Sequence, residues 1–345
     1  MDKGKQKTVF VLIDHPNLDY LLLPVIKKLK DLPEIDVMVC VYDYGNDELL
    51  KESGIAYSNN LAVFSEFLKK PGEKILLSGS CDSDLGPHQR GKRLVMACRE
   101  NGIPSLAIQH ASAFMYNGWT NEATSNSDII AVYGRGDYEI YRSLGLSPEK
   151  LVITGSPFHD RLYRIGSGGG GHDENNSRQI GEKGAYVLYA GNADRRVADA
   201  YEECVARFSD FFDVLSRHFP HHDIILKPHP GEEFYGTIDL YKNAAGENIS
   251  KIKIADPHSH LPQLIYGSDF VISFSPSVLL ESILLKKPVI YMAGNSTVMT
   301  AACEKEGATI LKTTYNAFPG KLDVILPEFS ECKCPLESGG VFIFI

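Results

Sequence analysis

Short apolar runs that end abruptly in polar or glycine residues recur along almost the whole chain, and helical patterns separate them. That alternation is the mark of β-α-β units and of a parallel sheet with helices packed on its faces. In the first half it predicts strands near residues 8–13, 36–41, 73–78, 104–108, 128–133 and 151–154, with helices between them such as Leu18 to Lys30 and Ser83 to Glu100. The pattern breaks over Ile165 to Ser177, where glycines and polar residues cannot repay their ordering entropy and read as a flexible linker. It restarts at Ala185 to Ala190 and continues through strands near 223–227, 251–254, 269–273, 288–292 and 308–311. A chain of 345 residues is too long for one ordinary core. The expected organisation is an N-terminal α/β domain over 1–164, a hinge over 165–183, a second α/β domain over 184–328 and an irregular tail over 329–345.

Several function classes are excluded early. Neither half carries Gly-x-Gly-x-x-Gly after its first strand, nor a Walker lysine loop, which argues against a dinucleotide dehydrogenase or a P-loop NTPase. A net charge of -9 argues against non-specific nucleic-acid binding, which needs a clustered basic face. The apolar run Val9 to Ile13 is too short for a signal h-region, and no stretch approaches the length of a spanning helix. The 7 cysteines are scattered and odd in number, so reduced thiols in a cytoplasmic protein are the expectation. No metal and no cofactor is expected: His218, His221 and His222 crowd one turn but lack an acidic or cysteine partner at ligand spacing and read as exposed turn residues.

Two strand ends in the second half carry the chemistry. Ile224 to Leu226 run into Lys227-Pro228-His229-Pro230, and Phe270 to Ser273 run into Phe274-Ser275-Pro276-Ser277-Val278-Leu279-Leu280-Glu281. In an open α/β sheet, ligands bind outside the carboxyl ends of the strands. His229, held between two prolines, is either a rigid donor to a phosphate oxygen beside the Lys227 cation, or a turn histidine in solvent. Ser275 and Ser277 are helix N-caps, a role compatible with phosphate binding because a helix start offers N–H groups and partial positive charge. Glu281, one turn deeper on the same face, is either a solvated helix glutamate or an acceptor for two ribose hydroxyls. Arg195 or Arg196, at the end of the second domain's first strand, can neutralise a diphosphate or sit on the surface. In the first half, Gln109-His110-Ala111-Ser112 ends a strand, and His110 there is either a base or a structural histidine. Asp14-His15-Pro16-Asn17 reads mainly as a turn and helix cap, and Ser83 as an N-cap explains the acidic cluster around Asp82 and Asp84 without a metal.

The stretch Gly267 to Ile290 resembles the nucleotide-binding end of GT-B glycosyltransferases, closest to the CDP-glycerol glycerophosphotransferases and capsule polysaccharide transferases. Those proteins show a His-Pro after a strand, then a serine-rich turn and helix, then a Lys-Pro strand, here Lys287-Pro288. Val152-Ile153-Thr154-Gly155-Ser156-Pro157-Phe158-His159-Asp160 resembles the segment that closes the first domain in that superfamily. The chain is also similar to non-hydrolysing UDP-N-acetylglucosamine 2-epimerases, which share the architecture. The resemblance implies two Rossmann-like domains facing each other across a cleft, phosphate contacts from His229, Ser275 and Ser277, and a ribose contact from Glu281. It places His110 where the transferases carry a catalytic histidine, with Ala111 in place of their glycine.

The implied function is a transferase using a nucleotide-activated donor, CDP-glycerol or a nucleotide sugar, in surface polysaccharide or teichoic-acid-like synthesis. His110 would activate the acceptor hydroxyl, and His229 with the serine-capped helix would stabilise the leaving phosphate. The acceptor would be a polysaccharide or its lipid-linked precursor, reached by peripheral docking at a membrane or in soluble form. Two alternatives stand beside it: a UDP-N-acetylglucosamine 2-epimerase, for which the sequence offers no convincing set of proton-moving carboxylates, and a catalytically silent nucleotide-binding subunit.

Overall fold

In the computed structural model the apolar runs assemble into two separate sheets whose neighbouring strands are all parallel. The described residues are 7–14, 18–42, 47–79, 89–110, 125–166, 185–191, 201–229, 232, 237–246, 250–257, 259–273, 275–292, 309–311 and 341–344. The chain divides into two units, Met1–Asp160 and Arg161–Ile345. Ile165 and Gly166 are helical, and the rest of the expected hinge, 167–183, lies outside the described residues.

The first unit runs β1 (Lys7–Ile13), α1 (Leu18–Lys30), β2 (Ile35–Val41), α2 (Glu48–Glu52), α3 (Ala62–Lys69), β3 (Glu73–Ser78), α4 (Gln89–Glu100), β4 (Ser105–Ile108), β5 (Ile129–Val132), α5 (Arg135–Ser143), β6 (Leu151–Ile153) and α6 (Pro157–Gly166), the last crossing into the second unit. Its strand order is β2-β1-β3-β4-β5-β6. The period of two along β1 divides its side chains between two cores. Val9, Val11 and Ile13 pack with Leu18, Leu21, Leu22 and Ile26 of α1, whereas Phe10 and Leu12 pack with Phe64 and Phe67 of α3 and Leu94, Val95 and Cys98 of α4. Both faces are covered, which is why β1 reads as a continuous apolar run. Each fully buried Phe or Leu here stabilises by about 1.5–3 kcal/mol.

The second unit continues β7 (Tyr186–Ala190), α7 (Tyr201–His218), β8 (Asp223–Lys227), α8 (Thr237–Ala245), β9 (Ile252–Ile254), α9 (Leu261–Gly267), β10 (Phe270–Ser273), α10 (Pro276–Leu284), β11 (Val289–Met292), β12 (Thr309–Leu311) and β13 (Val341–Phe344). Its order is β12-β13-β11-β10-β7-β8-β9. Phe208, Phe211 and Phe212 of α7 and Tyr241 of α8 close over Val187 and Tyr189 on one face. The tail, expected to be irregular, instead supplies β13, which pairs in parallel with both β11 and β12. Its apolar Val341-Phe342-Ile343-Phe344 suits a strand between two others, a pairing that no local pattern announces.

Cys40, Cys98 and Cys204 are buried, and burial pushes Cys40 up to about 11 and Cys98 up to about 12, which favours the protonated thiol in both. Among the described residues no helix is long and apolar enough to cross a membrane, and no group of three His, Cys, Asp or Glu side chains could hold a metal ion.

Candidate functional site

β7 pairs with β10 on one side and β8 on the other. Ala190 stands opposite Ser273 in one register and Lys227 in the other, so the three strands end level. Gly191, Pro228-His229 and Ser275 therefore leave the sheet side by side at its carboxyl edge. The strand order also reverses at β7, with β8 and β9 to one side and β10 and β11 to the other. Such a switch point opens the crevice where ligands bind in open α/β sheets.

Ser273 fixes the exit of β10. Its buried hydroxyl donates to the Ala190 carbonyl at 2.8 Å and accepts the Ser275 N–H at 2.9 Å. Ser275 then takes the extended N-cap conformation before α10, but its side chain makes no capping hydrogen bond. Its oxygen lies 2.9 Å from that of Ser277 instead. The expected cap is thus present in backbone geometry only, and two hydroxyls cluster at a helix start whose N–H groups this side chain does not occupy.

Glu281 is buried, not solvated. Its Oε2 has no hydrogen-bond partner among the described residues. Burial pushes its carboxyl up to about 8, an effect the Lys227 charge only partly offsets. Lys227 is itself buried, and its ammonium donates to the Pro228 carbonyl at 2.8 Å and to the Pro257 carbonyl. The cation expected to touch phosphate is therefore engaged on strand-end carbonyls, while its field reaches both Glu281 and His229.

His229 is partly buried, and burial, helped by the Lys227 charge, holds its imidazole below the usual histidine value. Its backbone N–H donates to Glu232 Oε2 at 2.6 Å, and its carbonyl accepts the Glu232 N–H at 2.8 Å. Glu232 is 1% exposed, and its Oε1 accepts the Tyr241 hydroxyl at 2.7 Å. Room for this carboxylate comes from Gly191, where an added Cβ would stand 2.4 Å from Glu232 Oε2. Glu232 is the site residue that sequence reasoning missed. A carboxylate three residues after the histidine was the only available signal, and in a Pro-Gly-Glu-Glu loop it looks like any solvated acid.

The first unit places His110 at the end of β4 with a partly buried side chain. Its neighbour Gln109 is fully buried: its Oε1 accepts the Tyr133 N–H at 2.8 Å and its Nε2 donates to Asp137 Oδ1 at 3.0 Å. Gln109 thereby ties the ends of β4 and β5 to the first turn of α5. His159, at the start of α6, lies edge-on to Tyr133 with ring centroids 5.0 Å apart, and burial lowers its affinity for a proton. Arg195, Arg196, His15, Asn17, Asp82, Ser83 and Asp84 lie outside the described residues. Among the turn histidines, His222 Nε2 lies 3.2 Å from Asp269 Oδ2, a residue distant in sequence that the pairing of β7 with β8 and β10 brings close.

No protein-family model matches the sequence, and no curated protein matches it. Solved structures do match in fold. The UDP-N-acetylglucosamine (UDP-GlcNAc) 2-epimerase of Neisseria meningitidis, bound to UDP-GlcNAc, is similar with a TM-score of 0.69 at 14% identity, over 97% of this chain and 94% of that one. The Methanocaldococcus jannaschii UDP-GlcNAc 2-epimerase in complex with UDP-GlcNAc and UDP gives 0.58 at 14% identity, over 94% of this chain and 99% of that one. Anabaena Alr3699/HepE in complex with UDP and glucose gives 0.60 at 16% identity, over 97% and 92%. At such identities the likeness is one of fold, and it bears out the GT-B-like architecture of two parallel-sheet α/β domains. It also corrects the functional expectation. The similar chains include UDP-GlcNAc 2-epimerases that match nearly end to end, which overturns the reading as a CDP-glycerol or sugar transferase of polymer synthesis.

Proposed function

We propose that the chain is a nucleotide-sugar enzyme of the UDP-GlcNAc 2-epimerase kind, with the nucleotide held at the switch point of its second sheet. The observation that carries this reading is the meeting of three different polar devices after the two strands that flank β7: the His229 loop after β8, and after β10 the Ser275/Ser277 helix start and the buried Glu281 carboxyl, with an oxygen unpartnered among the described residues. Solved chains similar in fold hold UDP or UDP-GlcNAc, which supports the choice of ligand.

Each residue has a role set by its chemistry. His229 donates from its imidazole to a diphosphate oxygen. The Ser275 and Ser277 hydroxyls and the first N–H groups of α10 take the remaining phosphate oxygens. The unpartnered Glu281 oxygen accepts a ribose hydroxyl, which relieves a buried polar atom that otherwise costs about 1–3 kcal/mol. Lys227 acts through its field, and Arg195 is assigned to the diphosphate from its place after β7. Epimerisation at the sugar's C2 requires a proton to leave and to return on the opposite face. His110 is assigned to move it, in place of the acceptor hydroxyl of the transferase reading.

Incubation with UDP-GlcNAc alone in deuterated water tests the proposal. The expected result is the C2 epimer with deuterium at C2, read by proton NMR, and stabilisation of the protein by UDP by mass action. Stabilisation without turnover would leave a silent nucleotide-binding subunit. The absence of both would sink the reading.

A further inference from the structure

We infer that Glu232 is a positioning residue for His229: its carboxylate fixes the backbone on which the imidazole meets the phosphate. This rests on the reading of the switch point as a diphosphate site and deepens it. Glu232 accepts the His229 N–H on one oxygen and the Tyr241 hydroxyl on the other, and its own N–H returns to the His229 carbonyl. The histidine's main chain is thus held on both its donor and its acceptor by one residue. The anchor behind it is rigid, because Tyr241 is 1% exposed and packs edge-on to Phe208 and Tyr189 with centroids 5.0 and 6.2 Å away.

The geometry is built around this carboxylate on its other side too. Gly191 closes β7 and donates its N–H to the Lys227 carbonyl at 2.8 Å, so it cannot move away. Any side chain there would drive a Cβ to within 2.4 Å of the Glu232 oxygen. A surface acid would need neither this vacancy nor a buried tyrosine. Fixing one residue's backbone in advance spares the ligand that entropy at binding, equivalent to roughly 5- to 30-fold in affinity.

The test is a double-mutant cycle on UDP affinity, measured by calorimetry on the full chain. Glu232→Ala and Glu232→Asp should each weaken binding by roughly 5- to 30-fold, since the first removes the carboxylate and the second withdraws it by one methylene. Glu232→Gln keeps an acceptor for the His229 N–H and should stay within about 3-fold of wild type. In a His229→Ala background the same changes should each cost less than about 2-fold. Equal losses with and without the imidazole would show a merely structural role and overturn the inference. A second arm needs no nucleotide: the His229 ring resonance, assigned by its loss in His229→Ala, should be single in wild type and broadened or doubled in Glu232→Ala. An unchanged resonance overturns the inference. Failure of wild type to bind UDP, with the resonance responding as expected, would remove the diphosphate reading and leave the positioning role standing.

Discussion

Glu281→Gln replaces a buried carboxyl by an amide of nearly the same shape that cannot ionise, so it isolates the cost of charging that position. Glu281 keeps its proton up to about pH 8, against 4.5 for an ordinary glutamate, because burial disfavours the carboxylate. The folded chain therefore binds this proton more tightly than the unfolded chain. Stability must then fall as pH rises from 4.5 and stop falling above about 8. Integrated between those values, the stability lost is about 1 kcal/mol at pH 5, about 3 kcal/mol at pH 7 and about 5 kcal/mol at pH 8.5. For a unit of this size each kcal/mol moves the unfolding midpoint by about 2–4 °C. The glutamine variant should thus melt above wild type, by a margin that widens by roughly 8–16 °C between pH 5 and pH 8.5. Scanning calorimetry on both proteins without nucleotide, following the transition of the second unit, measures that margin. A margin that stays constant across the range would refute the assignment of a buried, proton-holding carboxyl. At equal concentration UDP should stabilise both proteins, the variant less than wild type.

Further outcomes follow from the same site. His229 is held below the usual histidine value in the free protein, and a bound diphosphate would raise it, so UDP affinity should climb as pH falls below 6.5. The nucleotide's own titration cancels in the comparison with His229→Ala, and parallel pH profiles for the two proteins would exclude an ionic role for the ring. Gly191→Ala forces a Cβ against the fixed Glu232 carboxylate and should destabilise by about 1–3 kcal/mol, the usual range for overpacking, as read from denaturant midpoints. Ser275→Ala with Ser277→Ala removes hydroxyls that do not cap α10, so the melting temperature should hardly change while UDP binding weakens by about 10-fold. Phe10→Ala, in the first unit, should cost about 3–5 kcal/mol and leave UDP affinity untouched.

Much of the secondary structure was legible because its cause is local. β1, β7 and β8 are buried on both faces, so each reads as an unbroken apolar run, and the helix Leu18–Lys30 shows its spacing without help from tertiary context. The polar groups that end those strands could also be found, since the residue types suited to an anion are few. What was not legible is non-local. Nothing in the run Val341–Phe344 tells that it inserts between two other strands. Nothing near Glu232 tells that Gly191 leaves room for its carboxylate or that Tyr241 holds it, because those partners arrive from β7 and α8.

The misreading of the reaction has a different origin. His229, Ser275, Ser277 and Glu281 all lie at or beyond the carboxyl edge of the second sheet, and the work proposed for them is binding phosphate and ribose. A transferase and an epimerase that take the same kind of nucleotide sugar need that work done alike, so these residues identify the handle of the substrate and are indifferent to what happens at the sugar. The reaction is decided by the groups that reach C2 or an acceptor hydroxyl, and in the first unit His110 is the residue proposed for such a role. A histidine at a strand end can take a proton from carbon or from oxygen, given a suitably placed partner. The deuterium experiment discriminates where the residues do not: exchange at C2 without any acceptor is chemistry that a transferase has no need to perform.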